Sequence, residues 1–378
     1  VLSVDLSTLE RVAVGAMVAL LVALLASLRR LVRGSPRRLS RQSLAIGVSV
    51  VLVLSMVAPG VGALANQETA PESSADPRSD VQPPEGYNVS WDSAAGMMRS
   101  SDPVVAEGKV IAVTENGWQA WNTSDGSVAW TLTNTDNIAT GSSPGYMDGT
   151  AYLPTSNGVL AVNPETGAVQ WNSSYESHTN VIAENGSLFV EDSSGIARLH
   201  PENGSVDWTH STAADPLGYT YKDGVVYAPI RSDPEKLIAV HASNGTKKWS
   251  TTAQINGWSQ HGQPLVYNGS VYFGTRGEEF YSFDANTGSH EWTVTAADDF
   301  DQAPTAANGL VYATVDNGSQ FAIDAETGDV VWQDIGHGFT DYAGSTYANG
   351  VLYTPYGDSR EIQAVDADTG ERLWNYTF

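Results

Sequence analysis

One phrase occurs seven times in this chain: a polar turn that ends in Gly, followed four residues later by Trp. The seven pairs are Gly126/Trp130, Gly167/Trp171, Gly204/Trp208, Gly245/Trp249, Gly288/Trp292, Gly328/Trp332 and Gly370/Trp374. Successive Trp residues lie 41, 37, 41, 43, 40 and 42 residues apart. A period of about 40 residues in a sequence of short strands is typical of a β-propeller with about four strands per blade. The repeat therefore predicts an all-β fold of seven four-stranded antiparallel blades.

The sixth copy shows how one repeat builds a blade. Residues 309–332 open with an alternating run, Val311–Val315, whose period of two predicts a strand. The turn at 316–318 is Asp-Asn-Gly, which suits the positive φ values of a hairpin. A third strand and an outer strand ending in Trp332 follow, and another strand begins near Pro304. Four antiparallel strands result, which is one blade.

The position four residues before each turn Gly carries a side chain that can accept hydrogen bonds. These residues are Asn122, Asn163, His200, His241, Asp284, Asp324 and Asp366. We expect each to cap its turn by bonding backbone N–H groups two residues on. The repeat Trp residues 130, 171, 208, 249, 292, 332 and 374 are expected to pack between neighbouring blades, because an indole buries up to about 250 Å². Both sets are therefore structural predictions and not catalytic ones.

The chain is strongly acidic, with 43 Asp and Glu against 19 Lys and Arg and a net charge of −24. Such a surface repels nucleic acid, so no nucleic-acid partner is expected. Its self-repulsion would be screened in molar salt, where the Debye length is about 3 Å. The acid-rich, Lys-poor composition resembles that of proteins from halophilic archaea; an acidic secreted protein is the alternative. Cys is absent, which excludes disulfides, thiolate metal sites and a Cys nucleophile.

Residues 1–65 form a predicted membrane or signal segment. Apolar stretches at 12–28 and 44–64 flank six Arg residues, and Ala63-Leu64-Ala65 resembles a signal-peptidase site. Two membrane helices joined by a basic cytoplasmic loop are one interpretation, and a signal peptide with a true start near Val32 is another. A pair of buried helices is a third. The first two place the rest of the chain outside the cytoplasm, secreted or membrane-anchored at the cell surface.

Residues 66–87 are rich in Pro, Ser and acids and offer almost nothing to bury. This composition predicts a disordered linker between the N-terminal segment and the propeller at 88–378.

Three copies share a pattern that identifies a family resemblance. Ala322-x-Asp324-x-x-Thr327-Gly328-x-x-x-Trp332, its equivalent at 364–374 and a close variant at 161–171 resemble the repeat of PQQ-like β-propellers. That family includes quinoprotein alcohol dehydrogenases and the BamB-type scaffolds of outer-membrane assembly. The resemblance covers about 88–378 and implies the fold; it implies little about activity, since one fold hosts many functions.

The blade count leaves an alternative open. Asn88-Val89-Ser90-Trp91 looks like an additional outer strand, although the last copy already has an outer strand of its own at 371–378. Seven blades with a spare strand is one interpretation. Eight blades, with the remainder beyond a truncated C-terminus, is the other.

The resemblance to quinoprotein dehydrogenases implies PQQ stacked on a Trp, a Ca²⁺ ion, a catalytic Asp and a vicinal disulfide. The disulfide is impossible without Cys, and no position here matches the Ca²⁺ ligands. The seven His residues lack metal-ligand spacing. Asp298-Asp299-Phe300-Asp301 is a conceivable Ca²⁺ turn, but a solvated acidic turn is the simpler interpretation. We therefore expect no catalytic residue, no metal and no cofactor, neither PQQ nor Ca²⁺.

Loops on a rigid scaffold usually carry recognition, and the loops entering the first strand of each blade gather at one opening of the ring. Their aromatic and polar residues form a predicted binding surface for a protein or glycan partner. They are His178, Tyr219, Trp258, His261, Phe300, Asp301, Phe339 and Tyr342, with Met97 and Met98 nearby. The alternative is that these side chains plug the channel or pack between blades.

Nine N-x-[ST] sequons predict possible N-glycosylation in an exported protein. They begin at Asn88, Asn122, Asn172, Asn185, Asn203, Asn244, Asn268, Asn317 and Asn375. Several coincide with turns that need Asn-Gly for the fold, so only a minority is expected to be used. The sequence thus predicts an exported or membrane-tethered, non-catalytic scaffold. The alternative function is a quinoprotein-type dehydrogenase or a sensor of a small ligand.

Overall fold

A computed structural model describes residues 102–377 with gaps. The described residues are 102–114, 117–133, 143–155, 157–175, 177, 180–212, 214, 216–232, 235–251, 255–257, 263–300, 302–334, 344–356 and 361–377. Over these ranges every regular element is a strand, and none is a helix that could cross a membrane. The predicted segments 1–65, 66–87 and 88–91 lie outside them.

Twenty-eight strands follow one another in the described ranges. They are β1 Val104–Ala106, β2 Lys109–Thr114, β3 Gly117–Asn122, β4 Val128–Leu132, β5 Gly145–Met147, β6 Thr150–Thr155, β7 Gly158–Val162, β8 Val169–Ser173, β9 Ile182–Glu184, β10 Ser187–Asp192, β11 Gly195–Leu199, β12 Val206–Ser211, β13 Thr220–Lys222, β14 Val225–Ile230, β15 Lys236–His241, β16 Lys247–Ser250, β17 Leu265–Tyr267, β18 Ser270–Gly274, β19 Glu279–Asp284, β20 His290–Thr295, β21 Thr305–Ala307, β22 Leu310–Thr314, β23 Gln320–Asp324, β24 Val330–Asp334, β25 Thr346–Ala348, β26 Val351–Tyr356, β27 Glu361–Asp366 and β28 Arg372–Thr377.

The strands form seven separate four-stranded antiparallel sheets, each made of four consecutive strands. The prediction of a seven-bladed propeller is confirmed, and blade 7 supplies its own outer strand, β28. First strands of neighbouring blades contact one another, as β1 does β5 and β13 does β17. The first strand of each blade therefore lies towards the centre of the ring and the fourth strand lies at the rim.

Antiparallel order gives the ring two different faces. Turns between the first and second strands, and between the third and fourth, lie at one end of every blade, which we call the turn face. Turns between the second and third strands, and the connections between blades, lie at the other end, the loop face. At the turn face, Asp223 and Gly224 show why the predicted turns form: their φ values are +47° and +81°, the left-handed region that Asx and Gly tolerate.

The predicted turn cap is present in four blades. In blade 5, Asp284 Oδ1 accepts from the backbone N–H of Thr287 at 2.7 Å and of Asn286 at 3.0 Å, and Asn163, Asp324 and Asp366 do the same in blades 2, 6 and 7. The hydrogen bond that the Thr287 hydroxyl donates to Asp284, followed by these backbone bonds, lowers the pKa of the Asp284 carboxyl.

The prediction is wrong for blades 1, 3 and 4. There the acceptor is the residue directly before the turn Gly, namely Asp125, Asn203 or Asn244, which bonds the N–H two residues on. In these turns the residue directly before Gly is Asp or Asn. Its short side chain is the right length to accept from the backbone N–H two residues on. His200 and His241 therefore do not cap their turns in this way.

The repeat Trp residues join each blade to the next, as predicted, in the six pairs from blade 1 to blade 7. Each indole Nε1–H donates to a carbonyl oxygen in the following blade's turn: Trp130 to Pro164, Trp171 to Pro201, Trp208 to Ala242, Trp249 to Ala285, Trp292 to Ala325 and Trp332 to Ala367, at 2.8–3.2 Å. Trp374 packs on Tyr353 within blade 7, with ring centroids 5.9 Å apart. The indoles also lie against the turn Gly of the following blade, where no side chain fits.

Candidate functional site

The structure describes two of the eight predicted recognition residues, and both are core residues. Tyr219 is 0% exposed and Phe300 is 1% exposed. Phe300 packs against Phe280 and Phe321, with ring centroids 5.4 Å apart in each case, and so joins blades 5 and 6. Neither side chain can meet a partner in solution. The prediction of a recognition role is therefore wrong for these two, because their loops turn inward and pack between blades.

Tyr219 fastens the start of blade 4 to blade 3. Its hydroxyl lies 2.7 Å from the carbonyl oxygen of Asn180 and 2.8 Å from that of Phe189, and it shares one proton between them. The other predicted recognition residues lie outside the described part of the chain and stay predictions: His178, Trp258, His261, Asp301, Phe339 and Tyr342.

Tyr219→Phe is expected to cost about 1–3 kcal/mol of stability at neutral pH, because it removes the buried hydroxyl that bonds the Asn180 and Phe189 carbonyl oxygens. Burial, followed by the charge of Glu191, raises the pKa of Tyr219 well above its ordinary value of 10.0. A pKa raised by folding gives stability that is complete below pH 10.0 and declines as the pH rises above it. Between pH 9 and pH 11, the free energy of unfolding should therefore fall less steeply with pH in the variant than in the wild type. Equal slopes for both proteins would contradict this assignment.

Buried polar side chains are concentrated at the loop face. Nearly all buried polar residues in the described ranges lie in the half of their blade that is nearest the loop face. The exceptions are Ser187, Ser270 and Ser282. The turn-face half is instead held by the Trp contacts. Hydrogen bonds of buried side chains therefore position the loops at the loop face. This half of the blades also holds most of the buried polar groups that could bind a ligand.

The densest part of this polar layer lies between blades 6 and 7. Ser345 Oγ is 3.1 Å from Thr314 Oγ1 of blade 6 and 2.6 Å from Thr354 Oγ1 of blade 7. Gln320 Nε2 donates to the Tyr356 hydroxyl at 2.9 Å, and that hydroxyl donates to the Gly318 carbonyl at 3.1 Å. Burial raises the pKa of Tyr356 to about 12, so its hydroxyl stays a neutral donor at pH 7.

A row of buried polar residues continues this layer across blade 7. Thr354, Gln363 and Asn375 are cross-strand neighbours on β26, β27 and β28, and they are 0%, 1% and 4% exposed. Gln363 Oε1 and Asn375 Oδ1 have no hydrogen-bond partner among the residues that the structure describes. Burial of an unpaired acceptor is costly, so an ordered water or a ligand donor fits this row. The position of Thr354 in its strand is Leu153 in blade 2 and Phe273 in blade 5, a difference that sequence comparison between blades could have revealed.

A polar groove of about 350 Å³ lies at the rim between blades 2 and 3. It is lined by Asn172, Ser173, Ser174, Tyr175, Asn203, Gly204, Ser205 and Val206. Asn172 and Asn203 begin two sequons that are far apart in the sequence. Neighbouring blades bring them to one groove because the outer strand of blade 2 packs against the turn of blade 3, with Trp171 over Gly204.

Exposed large apolar side chains lie almost entirely on the outer strands. In the ranges that the structure describes they are Val128, Val169, Val206, Val330, Val331 and Leu373, with Val105 on an inner strand. Blade 6 is distinctive, since its outer strand opens with Val330 and Val331, 44% and 53% exposed. The same positions in blade 4 are Lys247 and Lys248. Charged residues normally protect a free strand edge from pairing with another chain, and β24 lacks them at its start.

In the described part of the chain, no group of three or more His, Asp or Glu residues is placed to hold a metal ion. Of the suggested Ca²⁺ turn, Asp298 bonds the N–H of Asp299 at 3.0 Å, and Asp301 lies outside the described residues.

The amino-acid sequence is similar to that of a known protein family and of several known proteins. The sequence model of the family described as outer membrane protein assembly factor BamB matches residues 87–194 and 192–378. Quinohemoprotein alcohol dehydrogenase ADH-IIG of Pseudomonas putida is 26% identical over 174 residues, 40% of this chain and 24% of that protein. Outer membrane protein assembly factor BamB of Moranella endobia (strain PCIT) is 25% identical over 166 residues, 40% of this chain and 41% of that protein. The chain thus spans less than half the length of these relatives.

Among solved structures, the crystal structure of BamB from Moraxella catarrhalis is similar, with a TM-score of 0.61 and 16% identity. The similarity covers 77% of this chain and 92% of that one. At this identity it shows a common fold.

Proposed function

The chain belongs to the family of outer membrane protein assembly factor BamB, and from this membership we propose that it is an exported, non-catalytic scaffold that binds a protein partner at the cell surface. The name of the family describes an assembly factor, and the transfer of that role to this chain is the proposal. The basic, apolar segment at 1–65 supports export or membrane tethering. A glycan is the second class of partner that the acidic, polar surface could meet.

The observation that carries the proposal is the apolar edge of blade 6. A seven-bladed ring whose blades are each closed by their own four strands leaves outer edges with free backbone groups. On β24 those groups stand beside Val330 and Val331, in a chain of net charge −24. An extended segment of a partner can add a strand to such an edge, with backbone hydrogen bonds giving affinity and the exposed Val side chains giving specificity.

Capture from native cell envelopes in molar salt tests the proposal. The full chain is the bait, beside a Val330→Lys/Val331→Lys variant and a matched Val169→Lys variant, which charges the outer edge of blade 2 instead. We expect a defined partner to be retained by the wild type and by Val169→Lys, and to be reduced at least tenfold by the blade 6 variant.

A third variant, Trp258→Ala/Tyr342→Ala, tests the predicted loop-face residues in the same experiment. Loss of the partner with this variant alone would refute the blade 6 edge and assign recognition to the loop face. Absence of any variant-sensitive partner would refute the scaffold itself.

A quinoprotein-type dehydrogenase is the second candidate function, and similarity to the Pseudomonas putida enzyme favours it. A sensor that binds a small ligand is a variant of this candidate, supported by the unpaired acceptors of Gln363 and Asn375. A ligand at these acceptors would lie in the loop-face half of blade 7, away from the blade 6 edge.

A further inference from the structure

We propose that Asn172, Asn203 and Asn244 are N-glycosylation acceptors, and that the folded blades withhold five of the other sequons. The inference rests on the export that the proposed function includes. A sequon is used through two groups: the Asn carboxamide nitrogen, which receives the sugar, and the hydroxyl two residues on. A folded protein can present a sequon only where both groups are exposed.

One sequon is withheld by burial of its Asn, and three by burial of their hydroxyl. Asn375 is 4% exposed in the polar row of blade 7. Asn185, Asn268 and Asn317 are exposed, but the hydroxyl residues that complete their sequons are buried: Ser187, Ser270 and Ser319 are 7%, 9% and 7% exposed. The reason is the repeat itself, because a strand begins directly after each Asn-Gly turn at 185 and 268.

A fifth sequon is withheld by a hydrogen bond. Asn122 Nδ2 donates to Ser127 Oγ at 2.9 Å, so the nitrogen that would be modified already holds its turn together.

At Asn203 and Asn244 the carboxamide oxygen, and not the nitrogen, holds the turn. Both side chains are exposed at the turn face. Their Oδ1 atoms accept the backbone N–H of Ser205 at 2.9 Å and of Thr246 at 3.0 Å. The carboxamide oxygen is thus fixed, and at Asn244 it also accepts from the Thr246 hydroxyl at 2.7 Å. Among the described residues, the carboxamide nitrogen of neither Asn is held by a hydrogen bond, and the hydroxyl residue of each sequon is exposed. The unusual capping of blades 3 and 4 is what creates these two acceptors.

Asn172 is presented by the outer edge of blade 2. It is exposed on β8, and Ser174, which completes its sequon, is exposed just beyond the end of that strand. Asn172 and Asn203 line the same 350 Å³ groove, in which Tyr175 is half-buried. A sugar ring attached at either position can lie against this aromatic side chain, which gives the groove an occupant of defined chemistry.

The modification is a group transfer from a polyprenyl-diphosphate-linked oligosaccharide. The Asn Nδ2 forms a bond to the anomeric carbon, the bond from that carbon to the diphosphate oxygen breaks, and the lipid diphosphate leaves with the electron pair. One amide proton passes to a base of the transferase. No oxidant or reductant is needed.

Glycopeptide mass spectrometry of the full chain, purified from the envelope of its own host, tests the inference. We expect glycan mass on the peptides that contain Asn172, Asn203 and Asn244, and none on those with Asn122, Asn185, Asn268, Asn317 or Asn375. Ser174→Ala, Ser205→Ala and Thr246→Ala should each abolish the glycan at one site, because each removes the hydroxyl of one sequon. The backbone caps of Asn203 and Asn244 remain in the last two variants. Ser174→Thr and Ser205→Thr, which keep the hydroxyl, should retain it.

The outcomes separate this inference from the proposed function. An exported chain without glycan at the three acceptors would overturn the inference alone. A chain recovered from the cytoplasm without glycan would overturn both. Glycan on a sequon with a buried hydroxyl, such as that of Asn185, would refute the requirement that both groups of a sequon be exposed.

Discussion

Trp249→Ala is expected to lower the free energy of unfolding by about 3–5 kcal/mol, the usual cost of removing a buried indole. Trp249 is 8% exposed and packs on Tyr227 at a centroid distance of 5.8 Å. Its Nε1–H donates to the Ala285 carbonyl of the next blade at 3.1 Å. The change therefore opens a cavity between blades 4 and 5 and removes a bond that joins them. Chemical denaturation followed by far-ultraviolet circular dichroism in molar salt measures the loss.

Trp249→Phe is the matched control, because it keeps a ring in the cavity and removes the donor. The Ala285 carbonyl still accepts from the Tyr227 hydroxyl and from Lys248 Nζ, both at 3.2 Å. The lost hydrogen bond should therefore cost only about 1 kcal/mol. Equal losses for the Ala and Phe variants would show that the hydrogen bond, and not the packing, joins the blades.

Gly245→Ala is expected to be the next most damaging change, for two separate reasons. The φ of Gly245 is +70°, which costs a residue with a Cβ about 1–3 kcal/mol. The added Cβ would also lie 2.6 Å from the Trp208 ring, so the ring or the turn must shift at a cost of about 1–3 kcal/mol more. The same denaturation experiment measures the sum.

Gly224→Ala separates these two costs within the same blade. Its φ is +81°, but an added Cβ meets nothing within 4 Å. It should carry the conformational cost alone and be less destabilising than Gly245→Ala by about 1–3 kcal/mol. If the two variants lost equal stability, the contact between Trp208 and the turn Gly would not be a close one.

The architecture could be predicted from the sequence because its causes are local and repeated. Turn Gly, outer-strand Trp and alternating strands occur in every copy. A wrong strand assignment in one copy can therefore be corrected by comparison with the other six. The caps are less uniform. Asp284 caps its turn from four residues before Gly, and Asn203 caps its turn from one residue before Gly. The difference follows from where the Asx side chain stands: blade 5 has Thr287 directly before Gly, and blade 3 has His200 four residues before it.

The site was less predictable because it depends on contacts between blades. Phe300 is an aromatic residue on a loop by sequence, and only the approach of Phe280 and Phe321 makes it a core residue. The groove that joins Asn172 to Asn203, and the polar row from Thr354 to Asn375, are products of blade packing and strand register. Periodicity within a repeat carries no signal for the groove, and the polar row can be recognised in the sequence only when the blades are compared with one another.

Cofactor-dependent turnover tests the central claim, a non-catalytic scaffold, most directly. The purified full chain is incubated in molar salt with PQQ, Ca²⁺, a panel of primary alcohols and an artificial electron-accepting dye, beside the same mixture without PQQ. The scaffold account predicts equal rates of dye reduction in the two mixtures. Saturable, PQQ-dependent dye reduction would contradict it and make the chain a quinoprotein dehydrogenase.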